Sequence, residues 1–403
     1  MSDWQRIKFE DLLVGKKISY GVVQPGEFQT VGGVPLIRVN NIKGSTIDVA
    51  DLVHIHPEVE SKYSKTRLNG GELLIVVVGS GSVGTCIIAP DSLKGFNVAR
   101  AISVAKLVKS VDKHFIAYQF QTEDIKYQLY GNTNDTAQPT LNLSELKQIQ
   151  FVLPSLPEQK AIASVLSSLD DKIDLLHRQN KTLEAMAETL FRQWFIEEAN
   201  EDWEVYQLQD LTKLQIGRTP PRKESHWFSD NSNDMKWVSI KDLGAEGIFV
   251  TYSSEYLPIS TIDHFNIPII PEGTVMLSFK MTVGRVGIAI ESMVSNEAIA
   301  QFQIKKRLTS ELLYCFLKQF NFDTLGSTSS IVTAVNTALL KGIEIALPED
   351  DLILEFTKQV KSYFAKVKAN QIQIQSLENL RDTLLPKLMS GEVRVQYQTE
   401  EVA

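Results

Sequence analysis

The chain has 403 residues, of which 43% are hydrophobic, enough for two or more domains with substantial cores. It carries 41 Lys and Arg against 49 Asp and Glu, and the formal net charge of −8 excludes a protein that is basic over its whole surface. Most of the acidic excess lies in two segments predicted below to be helical, so any surface for a polyanion must be a local patch.

The cysteine positions and the hydropathy pattern limit the cellular compartment. Cys86 and Cys315 lie far apart in apolar runs, which predicts neither a disulfide framework nor a thiolate metal site. No apolar stretch approaches the roughly 20 residues that cross a bilayer, and MSDWQRIKFE does not resemble a signal sequence. We therefore predict a cytoplasmic protein without a membrane segment.

Residues 1–155 and 201–348 follow one plan, which predicts two similar domains. WQRIKFEDL near the start is matched by WEVYQLQDL, GELLIVVVGSGSVG by GTVMLSFKMTVGRVG, and LNLSELKQIQFVLP by VNTALLKGIEIALP. Between the second and third of these matched pairs of segments, Asn97 is matched with Asn296. Val- and Ile-rich runs bounded by Gly, Pro and Asn indicate β-hairpins mixed with short helices.

Residues 156–200, between the two domains, carry a heptad pattern in which apolar residues alternate steps of four and three. At about 1.5 Å per residue, some 40 residues form a helix of about 60 Å, longer than most helices of a globular domain. Residues 349–395 repeat the pattern, with LENLRDTLLPKLMSG echoing LEAMAETLFRQWF. Pro386 predicts a kink or break in this second helix, and residues 396–403 a disordered tail.

Antiparallel packing brings both heptad patterns into one register, with Asn180 opposite Asn370. One buried Asn pair lowers stability but selects alignment and orientation. The alternative is that each helix only covers the core of its own domain. The predicted seam consists of Ile162, Leu166, Leu169, Ile173, Leu176, Asn180, Leu183, Ala187, Leu190, Trp194, Phe356, Val360, Tyr363, Val367, Asn370, Ile374, Leu377, Arg381, Leu384 and Leu388.

The predicted fold class is α+β. Two similar mixed α/β globular domains are separated by an antiparallel pair of long coiled-coil helices, in a pseudo-two-fold repeat. Inserting a fraction of a heptad into one helix is expected to change the spacing between the domains.

Short motifs could indicate an enzyme. The segment from Gly79 to Gly84 has the spacing of a dinucleotide-binding loop, but strand and turn residues follow it where a helix is needed, which favours a hairpin turn. His54 and His56, and PEVESK after them, have a metal-site or nuclease-like composition with no counterpart in the second half. We find no catalytic constellation.

The chain resembles, over nearly its whole length, the specificity subunit of type I restriction-modification systems. LPSLPEQKAIASVLSSLDDKID and LFRQWFIE are similar to the central spacer of that family, and LLPKLMSGEV to its C-terminal signature. IGRTPPRKESHWF and ISYGVVQPGEF are similar to two variants of its domain opening. The two domains differ in these loops.

The resemblance implies two target-recognition domains that each contact one part of a split, asymmetric double-stranded DNA target, with the helix pair setting the gap. It implies as partners two methylation subunits, which modify adenine, and restriction subunits. S-adenosylmethionine, ATP and Mg²⁺ would belong to these partners, and this chain would be non-catalytic with no cofactor of its own.

Candidate DNA contacts are chosen by chemistry, because Arg pairs with guanine, Asn and Gln pair with adenine, and Lys, Ser and Thr hold phosphates. For each one, a solvated surface residue is an equal alternative. The candidates are Arg38, Asn40, Lys62, Lys65, Arg67, Ser80 and Ser82 in the first domain, and Arg218, Thr219, Arg222, Lys223, Lys241, Lys280, Arg285, Ser327 and Thr328 in the second.

Other cations have a simpler interpretation. The run Lys305-Lys306-Arg307 is predicted to be a surface turn. Arg178, Lys181, Arg192 and Lys366, on the outer faces of the helices, either keep the helices soluble or form a docking surface for methylation subunits.

Two functions compete with DNA recognition. A nucleotide-dependent enzyme built on the segment from Gly79 to Gly84 predicts dinucleotide binding by the purified chain. A coiled-coil adaptor that joins two proteins predicts no preference among DNA duplexes.

Overall fold

The computed structural model describes residues 4–29, 32–44, 46–79, 81–130, 140–245, 247–325 and 335–396. Contacts between residues divide the chain into two compact units, Met1–Asp171 with Asn379–Ala403, and Lys172–Glu378. Each unit contains one globular domain and parts of both long helices. The predicted domain boundaries stay predictions, and nearly all of the predicted disordered tail lies outside the described residues.

The first domain is built mostly from short strands. Its strands are β1 (Gln5–Lys8), β2 (Leu13–Tyr20), β3 (Val34–Ile37), β4 (Ile42–Lys43), β5 (Thr46–Ile47), β6 (Val53–Ile55), β7 (Leu73–Val76), β8 (Cys86–Ile88), β9 (Asn97–Val98), β10 (Ile102–Leu107) and β11 (Gln150–Leu153). Its α-helices are α1 (Pro57–Ser61), α2 (Lys113–Gln119), α3 (Glu123–Tyr130) and α4 (Leu143–Gln148).

Three groups of paired strands make up this domain, beside the small β4–β5 hairpin. β2, β10, β7 and β8 form an antiparallel sheet in that order. β3 pairs antiparallel with β6 and parallel with β9, and β1 pairs antiparallel with β11. Every residue of β7 is buried, which explains why its sequence LLIV lacks a polar face.

The long helix α5 (Leu156–Arg192) follows the first domain and continues as a π-helical turn over Gln193–Glu197. The second domain then contains β12 (Glu204–Gln207), β13 (Thr212–Ile216), β14 (Met235–Val238), β15 (Phe249–Val250), β16 (Tyr256–Leu257), β17 (Val275–Ser278), β18 (Val286–Ala289), β19 (Val294–Ser295), β20 (Ile299–Ile304) and β21 (Glu344–Leu347). Its α-helices are α6 (Leu208–Leu211), α7 (Ile240–Leu243), α8 (Ile259–Phe265), α9 (Ser310–Gln319) and α10 (Thr337–Lys341), and α11 (Asp350–Ser390) ends the helical part of the chain.

The second domain repeats the topology of the first, as the sequence echo predicts. β13, β20, β17 and β18 form a sheet in the order of β2, β10, β7 and β8, and β15 extends its edge. β14 pairs antiparallel with β16 and parallel with β19, and β12 pairs antiparallel with β21. The mixed α+β class and the two similar domains are confirmed.

The backbone pairing corrects one detail of the predicted repeat. Ile37 pairs with Val98 as Val238 pairs with Ser295, so Asn296 corresponds to Ala99 and not to Asn97. The two asparagines were matched by residue type, and backbone register places them two residues apart.

In each unit, segments of both long helices contribute to the core of the domain. Ile162, Leu166 and Leu388 are buried in the core of the first domain, and Phe356 and Val360 in that of the second. Between these ends, Ile173, Leu176 and Ile374 form a separate buried cluster with Leu377 packed on it. At the ends of the seam, the helices therefore cover the domain cores, as the alternative predicts. Between the ends, the two helices contact each other directly.

Within each unit the two helix segments run antiparallel. Trp194 contacts Phe356 in the second unit, with ring centroids 6.0 Å apart. In the first unit Arg381 Nη1 donates to Asp170 Oδ1 at 3.0 Å, and the hydroxyl of Tyr118 donates to Asp170 Oδ2 at 2.5 Å. Every predicted seam residue is buried or partly buried, and this ion pair explains how Arg381 is accommodated there.

The Asn pair lies where the heptad register predicts it. Asn370 Nδ2 donates to Asn180 Oδ1 at 2.8 Å, and the two residues are 0% and 6% exposed. Asn370 Oδ1 is buried and has no hydrogen-bond partner among the described residues. An unsatisfied buried carbonyl costs roughly 1–3 kcal/mol, so this layer selects the register at the expense of stability.

A second amide joins α11 to the second domain. Gln371 Oε1 accepts from the backbone N–H of Phe249 at 3.0 Å, and its Nε2 donates to the carbonyl of Phe249 at 2.8 Å. The side chain thus satisfies both backbone groups of one residue in the edge strand β15. A Cβ on Gly247 would lie 2.4 Å from Gln371 Nε2, so this close approach requires glycine.

Of the predicted kink or break at Pro386, the break is wrong, and the kink stays a prediction. α11 runs through this residue to Ser390, and Pro386 is exposed. An interior proline costs about 3 kcal/mol, because it removes one hydrogen bond and crowds the preceding turn. Burial of Leu385, Leu388 and Met389 in the first core, at about 1.5–3 kcal/mol each, outweighs that cost.

We expect the Asn pair to respond differently to single and double replacement. Asn370→Leu alone leaves Asn180 buried without its partner and should lower the free energy of unfolding by about 1–3 kcal/mol. Asn180→Leu with Asn370→Leu removes both polar groups and should restore stability to the wild-type level or above. Urea unfolding measures both variants, and a double variant less stable than the single one would contradict this account.

Candidate DNA-binding surface

Loops from several strands of the first domain meet at one end of its sheet. Val22 N–H donates to Val98 O at 2.7 Å, Ala99 N–H to Ile37 O at 2.8 Å, and Val77 N–H to Ala101 O at 2.8 Å. These bonds bring the segments that follow β2, β3 and β7 against the link between β9 and β10. We call the surface formed by residues 21–24, 38–41, 77–79, 81–85 and 99–101 the first loop face.

The second domain has the same arrangement. Arg218 N–H donates to Ser295 O at 2.9 Å, Asn296 N–H to Val238 O at 3.0 Å, and Phe279 N–H to Ala298 O at 3.0 Å. The second loop face therefore consists of residues 217–220, 239–241, 279–285 and 296–298.

Gly21 and Gly217 are equivalent residues at the start of the two loop faces. A Cβ would lie 2.1 Å from Val98 O in the first domain and 2.0 Å from Ser295 O in the second. These contacts are with backbone atoms that cannot move away, so only glycine allows the loop to cross the neighbouring strand. Neither glycine was predicted from the sequence, although each lies near the start of the two similar segments ISYGVVQPGEF and IGRTPPRKESHWF.

The loop faces contain about half of the predicted DNA contacts. Arg38, Asn40 and Ser82 lie on the first face, whereas Lys62, Lys65 and Arg67 lie in the segment that follows α1. Arg222 and Lys223 lie farther along the loop after β13. Ser80, Ser327 and Thr328 lie outside the described residues. The predicted contacts on the second loop face are Arg218, Thr219, Lys241, Lys280 and Arg285.

Arg67 is part of a buried hydrogen-bond network. Its Nε donates to Glu60 Oε1 at 2.8 Å and its Nη2 pairs with Glu60 Oε2, while Asn97 Nδ2 donates to Glu60 Oε1 at 3.1 Å. Glu60 is 0% exposed. The hydrogen bond from Arg67, helped by the one from Asn97, holds the pKa of Glu60 below its usual value although burial raises it. The guanidinium of Arg67 thus stabilises the fold of the first domain.

Arginines of the second domain are also held by neighbouring groups. Arg222 Nη1 pairs with Glu255 Oε1 at 2.5 Å, and its guanidinium lies 4.4 Å from the ring centroid of Trp237. Arg285 Nη1 donates to Ile240 O at 2.7 Å, and Arg218 Nη1 to Phe265 O at 2.9 Å. These contacts fix the loops of the second domain.

Several exposed cations have no such partner. Within the described residues, the side chains of Lys62, Lys65, Lys223 and Lys241 make neither hydrogen bonds nor ion pairs, and the same is true of Arg100 on the first loop face. The sequence analysis missed Arg100, because its short link between β9 and β10 has no motif. On the same face, Arg38 Nε is buried without a hydrogen-bond partner among the described residues.

Matching positions on the two loop faces carry different charges. Backbone register aligns Arg38 with Ser239 and Arg100 with Glu297. The carboxylate of Glu297 accepts a hydrogen bond from the hydroxyl of Thr219. Two faces with the same backbone but unlike donors and acceptors present different hydrogen-bonding patterns to a ligand.

The enzyme-like motifs have structural explanations. The segment from Gly79 to Gly84 joins β7 to β8, which pair antiparallel as a hairpin. His56 Nδ1 accepts from Glu58 N–H at 3.2 Å and so caps α1. Within the described residues, no group of three or more His, Cys, Asp and Glu side chains is placed to hold a metal ion.

The basic run Lys305-Lys306-Arg307 lies in the turn between β20 and α9. Arg307 is only partly exposed, and it donates to Asp350 Oδ1 at 2.8 Å and to Pro348 O at 2.7 Å. Lys305 Nζ donates to Gln209 O at 2.9 Å. The run therefore connects the start of α11 to its domain.

Comparison with known proteins places these features in a family. The family model of the type I restriction modification DNA specificity domain matches residues 1–185 and 200–376. The MjaIX type I restriction enzyme specificity subunit of Methanocaldococcus jannaschii is 27% identical, over 71% of this chain and 70% of that protein. The HindI specificity subunit of Haemophilus influenzae is 22% identical, over 98% of this chain and 100% of that protein.

A solved structure shares the fold. The crystal structure of the S subunit of a type I restriction-modification system from M. genitalium aligns with a TM-score of 0.58 and 16% identity, covering 98% of this chain and 97% of that one. Separately, no helix in the described part of the chain combines the length and apolarity needed to cross a bilayer.

The Glu60 network predicts a pH dependence of stability. Because the pKa of Glu60 is lowered in the folded protein, its contribution is complete above the unfolded-state pKa, near 4.3, and is lost as the pH falls through the folded-state value. Urea unfolding between pH 7 and pH 3 should show a smaller loss of stability for Glu60→Gln than for the wild type. Glu58→Gln, an exposed carboxylate in the same helix, is the control and should follow the wild type; parallel curves for all three would contradict the prediction.

Proposed function

This chain belongs to the type I restriction-modification DNA specificity family, and we propose that it recognises one DNA target in two unlike parts, one part for each domain. Specificity subunits are non-catalytic, and catalysis lies in their partner subunits. Its role is DNA target recognition. The comparisons give no support to an adaptor that joins two proteins without contacting DNA.

The observation that carries the proposal is the pair of loop faces. Each is built by the same strands in the same order, and each has its own set of side chains. A repeated backbone suits two similar binding tasks, and unlike side chains suit two different base sequences. We therefore expect a target whose two halves differ.

The side chains of the first loop face fit DNA. Arg100 is exposed and Arg38 is partly exposed, and arginine contacts the O6 and N7 atoms of guanine in the major groove. Exposed lysines outside the face, such as Lys62 and Lys65, suit phosphates, which position a protein without specifying sequence. Arg67 and Arg222 contribute by stabilising the fold of their domains.

We propose further that the helix pair sets the number of base pairs between the two halves. The seam register and the Asn180–Asn370 bond support this proposal, because a pair of helices locked in one alignment keeps a fixed length. An interval of about 34 Å corresponds to one turn of DNA.

The partners follow from the family. Specificity subunits of type I systems assemble with methylation and restriction subunits and bind DNA. We propose two methylation subunits for each copy of this chain, with S-adenosylmethionine, ATP and Mg²⁺ bound by the partners and the complex acting in the cytoplasm. The outer faces of the helices, which include Arg178, Lys181, Arg192 and Lys366, are the proposed docking surface.

Genome-wide mapping of methylated adenines tests the proposal. In cells that lack this chain, a split, asymmetric motif should vanish from the methylation map. A second strain carries a variant of this chain with one heptad inserted after Leu176 and another before Ile374. These insertions keep the seam but lengthen it by about 10 Å, the length of about three base pairs. Both half-sites should persist with a changed gap, or methylation should stop because the halves no longer face the domains.

The matched control adds the same seven residues after Ala403 and should leave the motif unchanged. An unaltered map in the deletion strain would refute the proposed recognition. An unaltered gap in the heptad variant would refute only the role of the helices.

Arg100 provides a residue-level prediction. Arg100→Gln should relax the preference at one base pair of the half-site that the first domain contacts, at a cost of about 1–3 kcal/mol in discrimination, and leave the other half-site intact. The measurement is methylation of a library of duplexes by the complex with methylation subunits. Lys94→Gln, an exposed cation at the opposite end of the same sheet, should keep the wild-type preference; equal behaviour of the two variants would show that Arg100 does not contact bases.

A further inference from the structure

The hairpin between β17 and β18 has a rigid base. The buried hydroxyl of Ser278 donates to Thr282 O at 2.6 Å and accepts from Arg285 N–H at 3.0 Å. The backbone N–H groups of Ser278 and Gly284 close the turn through further bonds across it. The hairpin tip is therefore held in one conformation without help from its outermost residue.

That outermost residue is Met281, which is 97% exposed and has a φ of +60°. Because the side chain is exposed to water, it contributes no hydrophobic stabilisation to the fold. The left-handed backbone conformation is also unfavourable for residues other than glycine and asparagine. In the first domain, counting from the preceding strand places Gly79 (φ +148°) at the corresponding position, and counting back from the glycine after the turn places Gly81 (φ +73°) there. Fold stability thus favours glycine or asparagine at this position, so neither burial nor backbone conformation accounts for the methionine.

The surroundings place Met281 on the second loop face. Lys280, its neighbour, folds back so that its Nζ lies 5.4 Å from the ring centroid of the buried Phe279. Arg285 is tied to Ile240 O. Met281 also has the highest exposed fraction among the large hydrophobic side chains in the described part of the chain.

We propose that Met281 contacts the 5-methyl group of a thymine in the half-site recognised by the second domain. The major groove admits a two-stranded β-ribbon, and among its base edges the thymine methyl is the apolar feature. A thioether side chain makes at best weak hydrogen bonds, so among the base edges it favours this methyl group. The inference rests on the proposed function and adds the base type that this residue selects.

The test uses the complex of this chain with its methylation subunits and duplexes that contain the mapped target. Each thymine of the second half-site is replaced in turn by deoxyuridine, which removes only the methyl group. For the wild type, one replacement should weaken binding roughly 4-fold, which is the effect expected from the loss of one buried methyl group. In the first half-site, the same replacements should change binding equally for the wild type and for the Met281 variants.

Three variants separate the methionine from the hairpin. Met281→Asn and Met281→Gly suit the left-handed backbone and should unfold at a urea midpoint no lower than the wild type, yet they should bind the thymine target roughly 4-fold more weakly and ignore deoxyuridine. Met281→Leu keeps an apolar side chain and should retain the preference for thymine. Lys16→Gly is the matched control, because Lys16 also has a left-handed φ of +54° but lies away from the loop faces; it should keep wild-type binding.

The outcomes distinguish the inference from the function. If the wild-type complex shows no sequence preference at all, the proposed function fails. If it binds its target but deoxyuridine has no effect, if Met281→Asn responds to deoxyuridine as the wild type does, or if the second half-site contains no A·T pair, the role of Met281 is refuted and the function stands.

Discussion

The hydrogen bond between Asn180 and Asn370 is the constraint on which the rest of the helix pairing depends. Aliphatic layers such as Ile173, Leu176 and Ile374 supply most of the stabilisation, but such layers pack almost as well after a shift of one heptad. A buried amide pair does not, because any shift would leave two amides unpaired among apolar side chains. The less stabilising layer therefore determines which residues of the two helices meet.

The two domains show how one backbone serves two recognition tasks. The strand pairings that build each loop face are the same, down to the glycine that crosses the neighbouring strand. What differs are side chains at matching positions, such as Arg100 and Glu297, and the hairpin loops, which join Val76 to Cys86 in the first domain and Ser278 to Val286 in the second. Recognition can therefore change while the framework is kept.

The sequence predicted the features that depend on periodicity. Apolar residues at steps of three and four identified the helices and their seam, including Asn180 opposite Asn370, and the internal echo predicted two domains of one topology. Features that depend on non-local packing were not predictable. Arg67 was a candidate DNA contact, but it pairs with the buried Glu60, whose carboxylate also accepts a hydrogen bond from Asn97 on the distant strand β9, and these pairings have no local signal. The break at Pro386 was wrong because burial of its neighbours outweighs the local cost.

The Gln371 side chain has a consequence for the orientation of the second domain. Apolar contacts between a helix and a sheet resist separation but permit some rolling of one against the other. An amide that exchanges two hydrogen bonds with the backbone of Phe249 permits none, because rotation of α11 by even part of a turn would break both. Together with the Arg307 contacts at the start of α11, this glutamine therefore resists rotation of the domain about the helix axis and so helps to set the direction in which its loops point.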